Sequence, residues 1–333
     1  MRDAVLNFLK GAPGDPEALA IALFHWQRAC SERIAAMTLG SDGRDPDPQA
    51  WGEIPAIPVE LFKHLELRAF PGDPGRTFRT SGTTGAVRGV HALHDTEVYD
   101  LAAWKHFHAR FPDVPARVVS LCPAPEGDSS LGHMIGHFAG RLGGPLIPVF
   151  TDDGVVADGF DALQSPAFVA TTAFSLDALF QLDGGGALDA RSLLMVTGGF
   201  KGRRVRLDST ELYNSVPGRL GSPRVIGEYG MTELCSQLWT AAVPAGAVPG
   251  PFVAPAWLHV YTVDPVTAGP TPGEGLLRFV DLANTDSVVA IETMDLGRVE
   301  RHPEGDRVWL RGRLEGAELR GCSLRAEDLL GRG

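Results

Sequence analysis

The sequence predicts an α/β fold with parallel-rich sheets and helices, followed by a β-rich C-terminal subdomain. Three observations predict it. Short apolar runs alternate with helical segments between residues 95 and 230. Beyond Met231 the apolar runs are separated by turns alone. The 333 residues, 44% of them hydrophobic, suffice for a large core.

The elements follow in order. "DPEALAIALFHWQRACSERIAAM" has apolar residues three and four apart and predicts an amphipathic helix from about Asp15 to Met37. "SDGRDPDPQAWGEIPAIPVELF" is a Pro/Gly-rich connection. "HDTEVYDLAAWKHFHAR" predicts a helix starting near Asp95. Buried strands are read in "RVVSLCP" (Arg117–Pro123), "PLIPVF" (Pro145–Phe150), "AFVATT" (Ala167–Thr172), "SLLMVTGG" (Ser192–Gly199) and "RVIGEYG" (Arg224–Gly230). Helices are expected between them, around 131–142, 175–182 and 208–216. "WLHVYTVD", "GLLRFVDL", "SVVAIET" and "RVWLRGR" then read as strands of a β-rich tail. This texture gives three expected regions: a helical segment and linker over 1–57, an α/β core over 58–240, and a β-rich subdomain over 241–333. No internal repeat is found.

Bulk properties narrow the function classes. The net charge is −11, with 41 acidic and 30 basic side chains. No basic stripe is evident, which argues against a nucleic-acid partner or a membrane-surface binder. No apolar stretch approaches the ~18 residues of a membrane span. The N-terminus reaches Gly11 and Pro13 before a signal-like apolar run develops. Cys30, Cys122, Cys235 and Cys322 form no CxxC pair, so reduced thiols and a cytoplasmic protein are expected.

One loop carries chemistry without packing surface: "FRTSGTTGAVRGV", Phe78 to Val90. Successive N–H groups of a Gly-rich turn make a concave anion nest. Ser81, Thr83 and Thr84 add hydroxyls, Gly82 and Gly85 permit close approach, and Arg88 adds charge. Gly-Lys occurs nowhere in the chain, so this is not the P-loop of common NTPases. Ligands of open α/β sheets sit at the carboxyl ends of strands. "TSGTTG", "TGGF" and "EYGMTE" each follow such a strand-like run, so all three could line one crevice. Taken singly, each has a plainer reading as a polar turn or a solvated cap.

Taken in order, the pieces resemble one family. "TSGTTGAVRG" resembles the phosphate-loop signature TSGTTGxPKG of the adenylate-forming superfamily, with Arg88 for Lys and Val87 for Pro. "VTGGFKG" (Val196–Gly202) resembles its Gly-rich adenine-side segment, and "GEYGMTE" (Gly227–Glu233) its YGxTE motif. "ETMDLGRV" (Glu292–Val299) resembles (S/T)GD, with Met294 for Gly. "LRGRLEGAELRGCSL" (Leu310–Leu324) resembles the hinge that follows. Within the superfamily the chain resembles LuxE-type acyl-protein synthetases, relatives of phenylacetate-CoA ligases, although their GGGWK segment here has Gly199–Phe200.

The resemblance implies a large N-terminal-type adenylate-forming domain using ATP and Mg²⁺. A carboxylate would attack the ATP α-phosphate, giving acyl-AMP and pyrophosphate. Thr80, Ser81, Gly82, Thr83, Thr84 and Gly85 would hold the outer phosphates. Thr232 would contact the α-phosphate and Glu233 would be the metal ligand. Asp295 would accept from the ribose hydroxyls, with Arg298 and Arg313 nearby. Tyr229 would stack on adenine beside Gly198, Gly199, Phe200, Glu228, Gly230 and Met231. His133 and His137, at i, i+4, and Phe174 would face the small carboxylic acid substrate.

Full-length relatives carry a catalytic lysine in a C-terminal lid, and no lysine follows Lys201 here. Lys201, Arg88 or Arg203 would then substitute, or a partner would supply the charge. LuxE-type proteins carry the acyl group on a cysteine near the C-terminus, a role the resemblance gives to Cys322; Arg320 and Arg325 flank it, and guanidinium groups favour the thiolate. Cys235 is its competitor, and an acyl-accepting or reductase partner protein is a further expectation. The rivals are a CoA or amide ligase of the same superfamily and an inert nucleotide-binding subunit.

Overall fold

The computed structural model describes residues 1–40, 42–81, 87–151, 154–155, 157–181, 187–198 and 209–314. Its helices are α1 (Arg2–Leu9), α2 (Pro16–Cys30), α3 (Glu32–Met37), α4 (Glu97–Arg110), α5 (Ser130–Leu142), α6 (Ala157–Ala162), α7 (Ala173–Phe180) and α8 (Ser209–Leu220). The strands before α8 are β1 (Ile57–Pro58), β2 (Arg76–Arg79), β3 (Val90–Leu93), β4 (Val118–Ser120), β5 (Leu146–Pro148), β6 (Phe150–Thr151), β7 (Gly154–Val155), β8 (Phe168–Thr172) and β9 (Leu193–Thr197). Those after it are β10 (Arg224–Tyr229), β11 (Leu238–Trp239), β12 (Val243–Pro244), β13 (Phe252–Val253), β14 (Leu258–Val263), β15 (Gly275–Asp281), β16 (Ala290–Glu300) and β17 (Arg307–Arg313). The fold is mixed α/β, with parallel strands and helices, as the sequence predicts. Among the described residues no helix is long and apolar enough to cross a membrane.

The helix expected from Asp15 to Met37 is two helices. Asp15 opens α2 by accepting from the Glu17 N–H, with Pro16 at its first position. Ser31 is extended, at φ −144, and its hydroxyl accepts from the Ile34 N–H to start α3. A serine side chain that competes for backbone donors divides one apolar stripe into two helices.

The chain falls into two units. The first comprises Met1–Ala103, Met231–Ser236 and the described residues from Val253 onward; the second comprises Trp104–Gly230 and Gln237–Phe252.

The second unit is the open sheet. Strands β5, β4, β8, β9 and β10 are all parallel, in that order, and β11 and β12 pair antiparallel with β10. Every residue of β9 is buried, and so is all of β8 but Thr172. Continuous apolar strands are what a sheet covered on both faces requires. Ser129 caps α5 through the Gly132 N–H, and Gly143 ends it at φ 70. The core includes an aromatic stack in which the Phe107 ring lies 4.5 Å from Phe138, 5.0 Å from Phe168 and 5.1 Å from Trp239. Each such ring removes a large apolar area from water.

The first unit holds the antiparallel sheet β14-β15-β16-β17, with β1 added parallel to β16 through Ile57↔Ile291. The run "SVVAIET" was expected as a separate strand; β16 starts later, at Ala290, and continues through "ETMDLGRV" to Glu300. Buried Gln27 on α2 fixes the β15–β16 connection. Its amide donates to the Asn284 carbonyl at 2.8 Å and its Oε1 accepts from the Val289 N–H at 2.8 Å. Strands β2 and β3 form a two-stranded antiparallel hairpin around the Gly-rich loop. That corrects the expectation that "TSGTTG" follows a strand of the open sheet.

Candidate functional site

In the first unit, the neck of the Gly-rich loop is described and its tip, residues 82–86, lies outside the described residues. Gly82, Thr83, Thr84 and Gly85 therefore have no structural account. At the neck, Thr80 N–H donates to the Gly89 carbonyl at 3.0 Å, and the Thr80 hydroxyl accepts from the Gly89 N–H at 2.8 Å. Arg88 donates to the Thr80 carbonyl at 2.6 Å and the Arg79 carbonyl at 3.2 Å. Its guanidinium thus braces the neck of its own loop. Ser81 is exposed. A Cβ on Gly89 would sit 2.9 Å from Thr80 Cγ2, so this glycine lets the neck close onto Thr80; at 3.5 Å from Phe62 Cβ it would be in ordinary contact.

Thr232 and Glu233 form a turn, and Glu233 is 7% exposed. The turn is held by side chains, because little regular backbone pairing reaches it. His91 Nδ1 lies 2.6 Å from the Thr232 carbonyl, and Asn284 Nδ2 donates to the Glu233 carbonyl at 2.9 Å. Asp281 accepts from the Cys235 N–H at 2.9 Å and from the Ser236 hydroxyl at 2.7 Å. Burial pushes the Asp281 carboxyl up to about 6, despite the bonds from Ser236 and Cys235. Cys235 is buried, and burial together with Asp281, Asp286 and Asp100 raises its thiol well above the ordinary value. A thiol so placed stays protonated, which argues against Cys235 as acyl acceptor.

Asp295 and Arg313 are direct cross-strand partners on β16 and β17. The register shifts just beyond them, with Leu296 opposite Gly312 and Gly297 opposite Leu310. Gly312 adopts φ 138, which favours glycine, and the irregularity re-aims the end of β17. Asp295 is 9% exposed, and its N–H donates to the Thr293 hydroxyl at 3.1 Å. Arg313 donates to Glu60 at 3.3 Å. Arg298 stands apart. Side chains three positions apart on a strand point to opposite faces, and the Arg298 guanidinium covers the Trp309 ring at 4.2 Å.

The stretch 57–62 joins these pieces. Ile57 and Pro58 pair with Ile291 and Glu292 on β16, Glu60 binds Arg313, and Phe62 packs on the loop neck and edge-on to the His91 ring at 5.8 Å. From the sequence this stretch reads as a plain connection. Its signal was the apolar "IPVELF" inside Pro/Gly-rich surroundings.

In the second unit, Gly198 and Glu228–Gly230 sit at the carboxyl ends of neighbouring parallel strands, where Thr197 pairs with Glu228. Gly198 has φ 79, so the turn after β9 needs glycine there. The Thr197 hydroxyl donates to the Glu228 carboxylate. Burial pushes Glu228 up to about 7, with the Thr197 bond opposing. A Cβ on Gly230 would lie 2.5 Å from Glu228 Oε1, so the carboxyl folds over that glycine. Tyr229 is 9% exposed, its ring 6.0 Å from Phe252. Cys122, just past β4, is raised by burial and by Glu228. Sequence reasoning gave Thr197 no role although it lies inside "VTGGFKG", and missed Cys122, which belongs to no motif.

His133 and His137 lie half-buried on α5, and Phe174 is 49% exposed at the start of α7. Among the described residues no group of three His, Cys, Asp or Glu could hold a metal by itself. Glu233 as a lone hard-oxygen ligand still fits Mg²⁺, which is commonly held by one or two carboxylates together with substrate phosphates. Gly199, Phe200, Lys201, Arg203, Arg320, Cys322 and Arg325 lie outside the described residues.

No family model matches the chain, and no curated protein matches it. Among solved structures 188 chains match. ATP-bound MatB from Rhodopseudomonas palustris is 18% identical, over 71% of this chain and 47% of that one, at TM-score 0.47. The amide bond synthetase McbA from Marinactinospora thermotolerans is 18% identical, over 72% and 48%, at TM-score 0.46. O-succinylbenzoate coenzyme A synthetase (MenE) from Bacillus subtilis, in complex with AMP, is 15% identical, over 71% and 49%, at TM-score 0.48. The chain spans about half the length of these structures.

Proposed function

We propose that this chain uses ATP to activate a carboxylic acid as acyl-AMP and passes the acyl group to a thiol, in the manner of a LuxE-type acyl-protein synthetase. The observation that carries the reading is the convergence on residues 57–62. There the Gly-rich neck, the β16 strand leading to Asp295, and Arg313 meet one short segment, and His91 beside it reaches Thr232. Motif pieces far apart in sequence are thereby gathered in the first unit, which supports the reading.

In the proposed reaction a carboxylate oxygen bonds to the α-phosphorus. The bond from that phosphorus to the bridging oxygen breaks, and pyrophosphate leaves. The loop N–H groups and the hydroxyls of Thr80 and Ser81 hold the leaving phosphates. The Thr232 hydroxyl donates to the α-phosphate. Glu233 would hold Mg²⁺, which would supply charge neutralisation on the phosphates. Within the first unit Asp295 would accept from ribose hydroxyls with Arg313 beside it. For the second unit, contact with adenine is proposed for Tyr229 and contact with the acid for His133, His137 and Phe174. A thiolate then attacks the acyl carbonyl and AMP leaves; Cys322 is the proposed acceptor in cis. Lys201, Arg88 or Arg203 is proposed to supply the remaining cationic charge.

The test is pyrophosphate release from ATP and Mg²⁺ across a broad panel of carboxylic acids. Release that depends on one class of acid is expected, and silence across the panel would sink the proposal. Intact-protein mass spectrometry then locates the acyl group. An acyl mass on wild type that is lost in Cys322→Ser supports self-acylation, and transfer only to added CoA or an amine points to the ligase rivals.

A further inference from the structure

Two side chains remote in sequence hold the main chain of the turn that carries Thr232 and Glu233. His91 Nδ1 is 2.6 Å from the Thr232 carbonyl, and Asn284 Nδ2 donates to the next carbonyl, that of Glu233, at 2.9 Å. The two side chains also meet, His91 Nε2 lying 3.1 Å from Asn284 Oδ1. Both are buried, at 1% and 0% exposure.

Each is anchored. His91 sits on β3, two residues beyond the Gly89 neck, with Phe62 against its ring. The Asn284 carbonyl is pinned by Gln27, and its N–H donates to the Asp281 carbonyl at 3.0 Å. A carbonyl in an ordinary turn is satisfied by water. Here two successive carbonyls are taken up by buried side chains. Peptide groups are planar, so fixing two successive carbonyls fixes the planes on both sides of Glu233. The direction of its Cα–Cβ bond follows, and Thr232 is held from one side. Groups that must meet a ligand in one geometry are commonly set by such supporting partners.

We propose that His91 and Asn284 are positioning residues that lock the Thr232–Glu233 turn to the strand leaving the Gly-rich loop, so that the Thr232 hydroxyl and the Glu233 carboxylate meet phosphate and cation already aligned. What the turn binds rests on the adenylation reading; the clamp rests on the geometry above. His91 donates to Thr232 from a protonated Nδ1 and the Asn284 amide turns its NH₂ to Glu233; the Nε2–Oδ1 contact is a hydrogen bond only where Nε2 carries a proton as well.

Three substitutions separate the contacts. His91→Asn sets an amide N–H near the position of Nδ1 and keeps the bond to Thr232. His91→Gln reaches toward Asn284 and leaves the Thr232 carbonyl unbonded. Asn284→Asp sets an oxygen against the Glu233 carbonyl. Hydrogen exchange is followed by mass spectrometry on protein free of nucleotide and metal. Peptides over 231–236 should exchange at least ~10-fold faster in His91→Gln and Asn284→Asp. His91→Asn should stay near wild type, and peptides over β14 should be unchanged in all three. In the pyrophosphate assay, the Mg²⁺ concentration for half-maximal rate should rise ~10- to 100-fold in the same two variants and recover in His91→Asn.

Exchange over 231–236 equal to wild type would overturn the clamp, as would equal acceleration over β14, which is general destabilisation. Faster local exchange with unchanged Mg²⁺ dependence would overturn its positioning role. If wild type releases no pyrophosphate with any acid, the adenylation reading fails and exchange still decides the clamp.

Discussion

At the scale of single residues, Glu228 combines a short side chain, near-complete burial and one hydroxyl donor. Its carboxyl is pushed up to about 7, chiefly by burial. The folded state therefore binds a proton that the unfolded chain releases near the ordinary glutamate value. Stability should fall as pH rises through the window between about 4.5 and about 7, and level off above it. The full change is on the order of 3 kcal/mol. Glu228→Gln should remove that part of the slope, leaving a smaller fall from Asp281, raised to about 6. Urea titrations at pH 5 and pH 8 measure both, and an unchanged slope in Glu228→Gln would place the charged form elsewhere. The type of residue is legible in the sequence. Its titration is not, because it depends on what covers it.

At the scale of elements, two small devices shape the candidate site. Gly230 ends β10 in a space that a methyl group would share with Glu228 Oε1, 2.5 Å away. Gly230→Ala should cost about 1–3 kcal/mol. Adding Glu228→Ala should recover part of that loss in a double-mutant cycle, whereas strict additivity would mean the two do not touch. The second device is the Asp295–Arg313 pair beside the shifted register of β16 and β17. On the proposed adenylation, Asp295→Ala should lower kcat/KM for ATP by about 10²-fold or more, roughly the loss of a hydrogen-bonded charged contact. Arg313→Ala should act mainly on KM for ATP, by about 10-fold. Steady-state pyrophosphate release reads both, and an Asp295→Ala enzyme at wild-type kcat/KM would remove the ribose role. Helices and strands of the open sheet were legible because buried parallel strands are continuous apolar runs. The division of the first long helix was not, since Ser31 breaks it through one hydroxyl.

At the scale of the whole molecule, chain texture suggested boundaries near 57 and 240, whereas spatial grouping is discontinuous. Met231–Ser236 leave the open-sheet unit at Gly230 and belong with the antiparallel sheet. One motif, "EYGMTE", thus contributes Tyr229 and Gly230 to one unit and Thr232 and Glu233 to the other. Asp281, Asn284 and His91 hold the second half there through buried hydrogen bonds. A buried polar group left without its partner costs more than the bond itself contributes, so these bonds specify the arrangement.

The residues alone determined the α/β class, the main buried strands of the open sheet, the helix-free stretch after Met231 and the identity of the motif side chains. Periodicity and local hydrogen-bonding chemistry act over a few residues, and a sequence displays them directly. Only the tertiary structure decided that residues 57–62 join the loop neck to Arg313. It also decided that the Arg298 guanidinium covers Trp309, that Cys235 is buried with its N–H on Asp281, and that His91 and Asn284 grip the Glu233 turn. Those outcomes depend on contacts between residues tens to hundreds of positions apart, and burial and charge at such contacts have no local signature along the chain.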